Sequence, residues 1–461
     1  MGSLSASLNI ALQSMLTEQG AIQTTSNNIA NSNTPGYSRQ RANFEESPPI
    51  SIGSLTLGTG VQLANITSLR SSILDLRINK ETQQQGQLNA FISSGQQIQV
   101  LFNETAGTGL QTPLTNFFNS LSQLTTNPSD LATRQSVLSA AQNLALAFNQ
   151  TSSNLTTLQR NVDLSVQQSV SQINSLTSQV AQVNQQVSAA ETTGANSGPF
   201  EDQRQQLINQ LSNFVDVSEV DAGNGSLTLT TANGSPLVVA GQSFSFTAQA
   251  DATTGLQHVI ANGTDITSQI VSGELAGQLQ VRDQQIPSIQ NSLDTLAYNL
   301  SSALNTQNLA GLDLNGVPGG NLFAPLAQAS GAAAVLKVAI TDPSKIAAAS
   351  AGPPPGGPGD NTNANAMLAL QNKPLPGGLT PMNYYSNLVF NVGNSVANAQ
   401  IQQASGSQVL QQIQNLQGGI SGVDINEEAA NLIRFQNAYQ ASAQVSSIIN
   451  TLLQATMNMV T

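Results

Sequence analysis

The chain contains no cysteine, a single histidine, and charged residues at only 8% of 461 positions. Each shortage removes a class of function. Without cysteine there are no disulfides, no thiolate zinc sites and no thiol nucleophile. One histidine, His258, excludes a multi-histidine metal site, and it reads as a polar residue on a β surface. Charge at 8% compares with roughly 25% in an ordinary soluble domain. The 13 bases and 25 acids give a formal net charge of -12. The bases are scattered and form no patch, which argues against nucleic acid and against an anionic membrane surface. No apolar run reaches 18 residues, so no transmembrane helix is expected. Met1 to Ile10 has no basic start and no continuous apolar stretch, so it does not read as a secretory signal peptide. Ser, Thr, Asn and Gln carry the polarity instead. Such a surface repels itself only weakly and suits a protein that packs against copies and relatives.

What the chain does have is helical periodicity at both ends. Leu4, Leu8, Ala11, Met15 and Ile22 fall on one stripe of a first helix. Leu8, Leu12, Met15, Ile22 and Ile29 fall on the adjoining one. Pro35-Gly36 ends it, since proline disfavours helix before it and Pro-Gly suits a type II turn. Residues 40 to 66 read as extended loop. A second helix is expected from Ser68 to Glu104, with Ile73, Leu76, Phe91, Ile98 and Leu101 inward. A third runs from Ser129 to Ala190 on a seam of Leu155, Leu158, Val162, Val166, Ser169, Ile173, Leu176, Val180, Val183 and Val187. A helix of about 60 residues spans about 90 Å, a rod that no compact globule needs. Met382 to Gln417 repeats the pattern with Val389, Val392, Val396, Ala399, Leu410 and Ile413. These three segments are expected to wind into one bundle.

Between them the period falls to 2. From Val215 to Ile270 short apolar pieces alternate with Asn224-Gly225, Asn233-Gly234 and Asn262-Gly263, which signal hairpins. Leu275 to Asn305 returns to helix, and Gly352 to Asp360 is Pro/Gly loop. The last forty residues mirror the first thirty. Ala438, Ala441, Val445, Ile448, Leu452, Ala455 and Met459 keep strict 3-4 spacing, and Leu432, Phe435, Tyr439, Ile449, Leu453 and Val460 form a second row. Asp424, Glu427 and Glu428 fit a helix start. The terminal helices are expected to pair, with one apolar row as core and the other facing neighbouring molecules. A lone helix of about thirty residues is marginal in water, so these ends are expected to be loose in the isolated chain.

The fold class that follows is mainly α with a β-rich insertion. Residues 1–67 plus 424–461 form a terminal helical assembly domain. Residues 68–214 plus 275–310 plus 382–423 form a helical rod, 215–274 a small outer β domain, and 311–381 a loop-rich segment of open assignment. Other chemistry is weakly signalled. Asp216, Glu219 and Asp221 cluster near a turn but fall short of the six or more oxygens that calcium takes. Asp313 to Gly316 lacks the bidentate acid a calcium loop requires and reads as a plain turn. The glycines of 352 to 359 do not sit between a strand and a helix, so they form no phosphate loop. No cofactor and no enzymatic constellation is expected.

Two segments carry a resemblance. Thr25-Ser26-Asn27-Asn28-Ile29-Ala30-Asn31-Ser32-Asn33-Thr34-Pro35-Gly36-Tyr37-Ser38-Arg39-Gln40 resembles the N-terminal signature of bacterial flagellar axial proteins. Its Gly-Tyr-Ser-Arg-Gln ending is similar to the hook-associated proteins of the hook–filament junction. Val423 to Val445, with Asn431-Leu432-Ile433-Arg434-Phe435-Gln436-Asn437-Ala438-Tyr439, resembles the C-terminal signature of the same family, with Ser442 where Asn is more frequent. Glu201 to Leu207 and Ser272 to Gly277 are also similar to junction-protein segments. The resemblance implies a structural subunit that self-assembles through Leu4, Leu8, Leu12, Met15, Ile22, Ile29, Leu432, Phe435, Tyr439, Val445, Ile448, Leu452 and Met459, with Asn31, Pro35, Gly36, Tyr37 and Arg39 as its turn motif. It implies an extracellular place in the flagellum, reached through the flagellar export apparatus without a cleaved signal peptide. The implied partners are the hook protein, a second junction protein, further copies, and a cytoplasmic export chaperone on the C-terminal helix. The alternatives are another axial protein of hook or rod type, or an extracellular adhesin or enzyme with its site in the β domain.

Overall fold

The computed structural model describes residues 2–52, 55–104, 107, 109–223 and 225–459. Asn224 and Val460, named above, lie outside the described residues. The first helix, α1 (Gly2–Ala30), runs into a turn in which Gly36 has φ +77°. Residues 40 to 66 are not loop but a β arm. Strand β1 (Gln40–Glu46) pairs antiparallel with β4 (Val61–Ser68), from Gln40 opposite Ser68 to Glu46 opposite Val61. Strands β2 (Ile50–Ile52) and β3 (Leu55–Leu57) close its tip. The arm packs on α1 through few apolar side chains, so its alternation is faint in the sequence.

Helix α2 (Ser72–Leu101) is followed by α3 (Gln111–Thr126) and the long α4 (Leu131–Thr193). The expected inner face of α2 holds in its second half, where Phe91 and Ile98 are buried, and fails in its first, where Ile73 is 70% and Leu76 46% exposed. There the helix turns Leu74 and Ile78 inward together with polar Asp75, Asn79 and Gln83. Those polar groups are spent on neighbours: Gln83 donates to the Val217 carbonyl at 3.0 Å, and Gln417 donates to Asp75. With 63 residues, α4 spans about 95 Å. Asp130 caps its first turn through the amides of Ala132 and Thr133, and Gly194 ends it at φ +71°. Every residue of the expected seam is buried. No single helix covers that seam. α3 packs on its start, and α5 (Gly198–Phe214) and the β insertion pack near its end.

In the insertion, β5 (Ser218–Asp221), β6 (Leu227–Thr230), β7 (Pro236–Val239) and β8 (Gln242–Ser243) form one antiparallel sheet. A second sheet has β10 (Gln257–Ala261) between β9 (Phe246–Ala250) and β11 (Thr264–Asp265). Asn262 (φ +49°) and Gly263 (φ +78°) make the turn between β10 and β11, as the Asn-Gly pair requires. Side chains of α4 stand in for missing strand partners. Asn174 donates to the Phe246 carbonyl and accepts from its amide, both at 2.8 Å. Asn184 does the same for Leu227, and Asp163 accepts from the Gln257 amide at 2.8 Å. The nearly inaccessible Arg282 joins Asp163 at 2.7 Å and also donates to the Gln257 carbonyl. It lies in a π-helical turn (Val281–Gln285) between α6 (Gly273–Gln280) and α7 (Ile286–Leu309).

Residues 311 to 381 are ordered. They contain β12 (Gly311–Leu312), α8 (Ala332–Val335), β13 (Ala349–Ser350) and α9 (Thr362–Ala369). Leu322, Phe323, Leu336, Ile346 and Met367 join the core formed by α2, α3, α4 and α7. Helix α10 (Pro381–Ser421) then lies along α2, burying Val392, Val396, Ala399 and Ile413. The chain closes with α11 (Ile425–Asn458), capped by Asp424 through the amides of Asn426 and Glu427. Among the described residues no helix is long and apolar enough to cross a membrane.

Candidate assembly interface

Helices α1 and α11 pair antiparallel. The hydroxyls of Ser14 and Ser442 meet at 2.9 Å, and Asn28 donates to Glu428 at 3.0 Å. Small residues are buried along the pair: Ala11, Ala21 and Thr25 on α1 and Ser446 on α11, with Ile449 the one large apolar side chain among the buried α11 positions. Small residues let the helices close, and they leave little apolar surface buried between them.

The candidate interface residues therefore divide. Leu4, Leu8, Met15, Ile22 and Ile29 of α1 are half-buried, as are Leu432, Phe435 and Tyr439 of α11. Phe435 meets Phe44 of the β arm edge to face, ring centres 6.0 Å apart. The row with the more regular spacing lies outside. Val445 is 49%, Ile448 60%, Leu452 48% and Met459 77% exposed, with Leu12 (45%) exposed on α1. This row is continuous, almost uncharged and uncovered within the chain.

At the other end of the pair the turn motif forms a clasp. Arg39 donates from Nε to Glu428 at 2.7 Å and makes a two-pronged contact with Glu427 at 2.6 and 3.0 Å. Its backbone amide donates to the Ser421 carbonyl at 2.8 Å, which ties the turn to the end of α10. Asn28, fully buried, donates to the Gln40 carbonyl and accepts from the Gln40 amide and from the Tyr37 hydroxyl. The Ser38 amide donates to Asp202 of α5 at 2.9 Å, and Gln206 of α5 donates to the Pro35 carbonyl at 2.7 Å. A side chain at Gly36 would collide with Gln206. Asn31 stays local, donating to the Asn27 carbonyl and accepting from Thr34. The motif thus points inward, joining α1, α11, α10 and the rod helix α5 at one place.

The electrostatics fit a structural clasp. Burial pushes the Tyr37 hydroxyl up to about 12, reinforced by the carboxylates of Asp202 and Glu428, so it stays a donor. Hydrogen bonding to Glu427, and then the charge of Glu428, hold the Arg39 guanidinium above its ordinary range. Glu18 is raised by burial, with Arg434 opposing it. Asn28, Asp202 and Gln206 were not singled out in the sequence; all three sit inside the motif segments quoted above, and their partners are distant in the chain.

The remaining candidates have other employment. His258 pairs with Asp265 at 2.6 Å on the exposed side of the second sheet. Asp216 accepts from the Ala232 amide, Asn79 donates to Glu219, and Asp221 accepts from the Gly223 amide, so the three acids serve separate partners. Asp313 closes its turn through the amides of Asn315 and Val317 and pairs with Lys345 at 3.0 Å.

Comparison with known proteins agrees with this geometry. The family described as "Flagellar hook-associated protein FlgK helical domain" matches residues 95–323. "Flagella basal body rod protein" matches 8–37 and "Flagellar basal body rod FlgEFG protein C-terminal" matches 417–459, the two paired ends. "Flagellar hook-associated protein 1" of Escherichia coli is 28% identical, over 99% of this chain and 100% of that protein. The protein of that name from Bacillus subtilis is 29% identical, over 98% and 97%. In structure, the flagellar hook junction protein FlgK from Burkholderia pseudomallei superposes with a TM-score of 0.67 at 19% identity, over 75% of this chain and 100% of that one; it shares the fold. The terminal motifs, the paired helices that carry them and these matches agree: the chain is similar over nearly its whole length to the flagellar hook-associated protein 1 proteins.

Proposed function

We propose that this chain is the structural subunit of the hook–filament junction, self-assembling through α1 and α11. One observation carries the reading: α11 presents two apolar rows, of which Leu432, Phe435 and Tyr439 face its own chain while Val445, Ile448, Leu452 and Met459 face outward. A continuous uncharged apolar row is unfavourable in water and favourable against another subunit. In this reading the terminal pair is the inner, assembling part, α2 to α7 with α10 form the rod, and the β insertion lies outermost. The neighbours are copies of the chain, the hook protein on one side and a second junction protein on the other. Before export, a cytoplasmic chaperone covers the exposed row of α11, and the chain then passes through the flagellar export apparatus. The subunit acts by shape rather than by catalysis, since its buried charged groups serve as caps and clasps.

The matches of rod-type families to both ends also fit another axial position, in hook or rod. Imaging separates the two. A tag inserted at the Asn262–Gly263 turn should label purified flagella only where hook meets filament. Label along the hook or in the rod assigns the chain to that segment instead.

A further inference from the structure

A groove of about 550 Å³ lies between the first turns of α1 and the tip of the β arm, lined by aliphatic Ile10, Pro48, Ile50 and Leu57 and by uncharged polar side chains, Ser47, Thr59 and Gln62 among them. None of its lining residues is charged. Ile50 and Leu57 are 41% and 38% exposed, so its apolar wall is open. The Ser47 hydroxyl is 7% exposed as a residue and has no hydrogen-bond partner among the described residues. A buried hydroxyl without a partner is costly, which favours an occupant that brings a polar group beside its aliphatic ones.

Register indicates what fits. With Ser14 beside Ser442 and Asn28 beside Glu428, Ile10 lies level with Ser446. The groove is therefore at the height of Val445 and Ile448, the middle of the exposed row. From Phe435 to Thr461 the chain has no charged residue, and Gln444 and Ser447 stand between the apolar positions. Ridge and groove match in character: aliphatic side chains, no charge, and hydroxyl and amide groups beside them.

We propose that Val445, Ile448 and Leu452 of one copy seat in the groove between α1 and the arm tip of the next copy. This rests on the junction-subunit reading above and names the surface each neighbour uses. Ridge and groove differ, so the contact is head to tail. At constant height it closes into a ring when the rotation between copies closes.

The absence of cysteine makes the test clean. Two differently tagged copies are co-expressed, one carrying Thr59→Cys and the other Val445→Cys, both near-isosteric changes. Flagella are then isolated and treated with a short bismaleimide. The expected product is a dimer bearing both tags, absent when either single-cysteine copy is expressed alone. Val445→Cys joined instead to a different flagellar protein carrying an introduced cysteine, or assembled flagella giving no two-tag product, overturns the seating. If the cysteine copies do not assemble, Ile50→Ala and Ile448→Ala in an otherwise unaltered chain are compared; equal retention of normal junctions by both also overturns it. Absence of the unaltered chain from isolated flagella would overturn the junction reading itself.

Discussion

Replacing Arg39 with alanine removes the one cation that meets both acids at the start of α11. Glu427 is more than half exposed, and its loss of a partner costs about 0–1 kcal/mol. Glu428 decides the outcome, because its side chain is 3% exposed and, among the described residues, keeps the Asn28 amide as its one remaining donor. Stranding a buried charge costs about 3–5 kcal/mol, and the retained Asn28 bond together with water entering at the cut side chain reduces this to about 2–3 kcal/mol. The cost falls on the joint between the terminal pair and the rod, whose large core lies elsewhere. Amide hydrogen exchange is the suitable assay, since it reads local opening separately from global unfolding. Amides of α1 between Ala21 and Ala30 and of α11 between Glu428 and Ala438 should exchange about 30- to 150-fold faster. Those of α4 should be unchanged. Adding Glu428→Gln should recover part of the loss by removing the stranded charge. Unchanged exchange in α1, or a double mutant no slower than Arg39→Ala, would show that Arg39 does not hold the joint through Glu428.

Protection should also fall along the unaltered pair from the clasp toward Leu4 and Met459, and proteolysis should trim the helices from that tip. Asn174→Leu removes both bonds to Phe246 and leaves a buried amide and carbonyl unpaired; a loss of about 2–4 kcal/mol confined to the β insertion is expected, read by exchange of β9 and β10. Stability should peak in mildly acidic solution. Burial raises Asp216 and Glu219 above their ordinary 3.8 and 4.5, so their ionisation weakens the fold as pH climbs through the raised values. Asp130, Asp251 and Asp360 are held low by bonds from Thr133, Thr254 and Ser350, and their contribution is lost as pH falls below 3.8. A melting temperature higher at pH 8 than at pH 5, or no flattening of the profile in Asp216→Asn, contradicts this.

The parts legible in the sequence are those where one element meets an apolar surface. The α4 seam reads through because every third or fourth residue from Leu155 to Val187 is inside. The first half of α2 does not, because Asp75, Asn79 and Gln83 face inward to polar partners that come from distant segments. Residues 311 to 381 are opaque for a related reason: Leu322, Phe323, Leu336, Ile346 and Met367 reach the core from irregular backbone at no fixed period, and the buried Ala347, Ala348 and Ala349 carry no pattern. On α11 the stronger pattern misleads if taken as core. The pairing side carries Ser442 and Ser446, which spacing alone does not mark, while the strict 3-4 row is left outside. An amphipathic pattern in an assembling helix reports the assembly as much as the monomer. The turn motif, by contrast, was visible but not its direction, since Arg39 and Tyr37 suit a neighbour's surface as well as their own chain's.

If the outer row of α11 serves assembly and not folding, Ile448→Asp should separate the two. Ile448 is 60% exposed in the single chain, so the charge meets water there. Against a neighbour it becomes a buried, unpaired carboxylate costing several kcal/mol in every subunit. The purified variant should keep the unaltered melting temperature and helical content, while its occupancy of the hook–filament junction, counted in images of isolated flagella, falls to background. Normal occupancy would mean that Ile448 lies at no assembly contact, and a variant that melts well below the unaltered chain would mean that the row belongs to the fold.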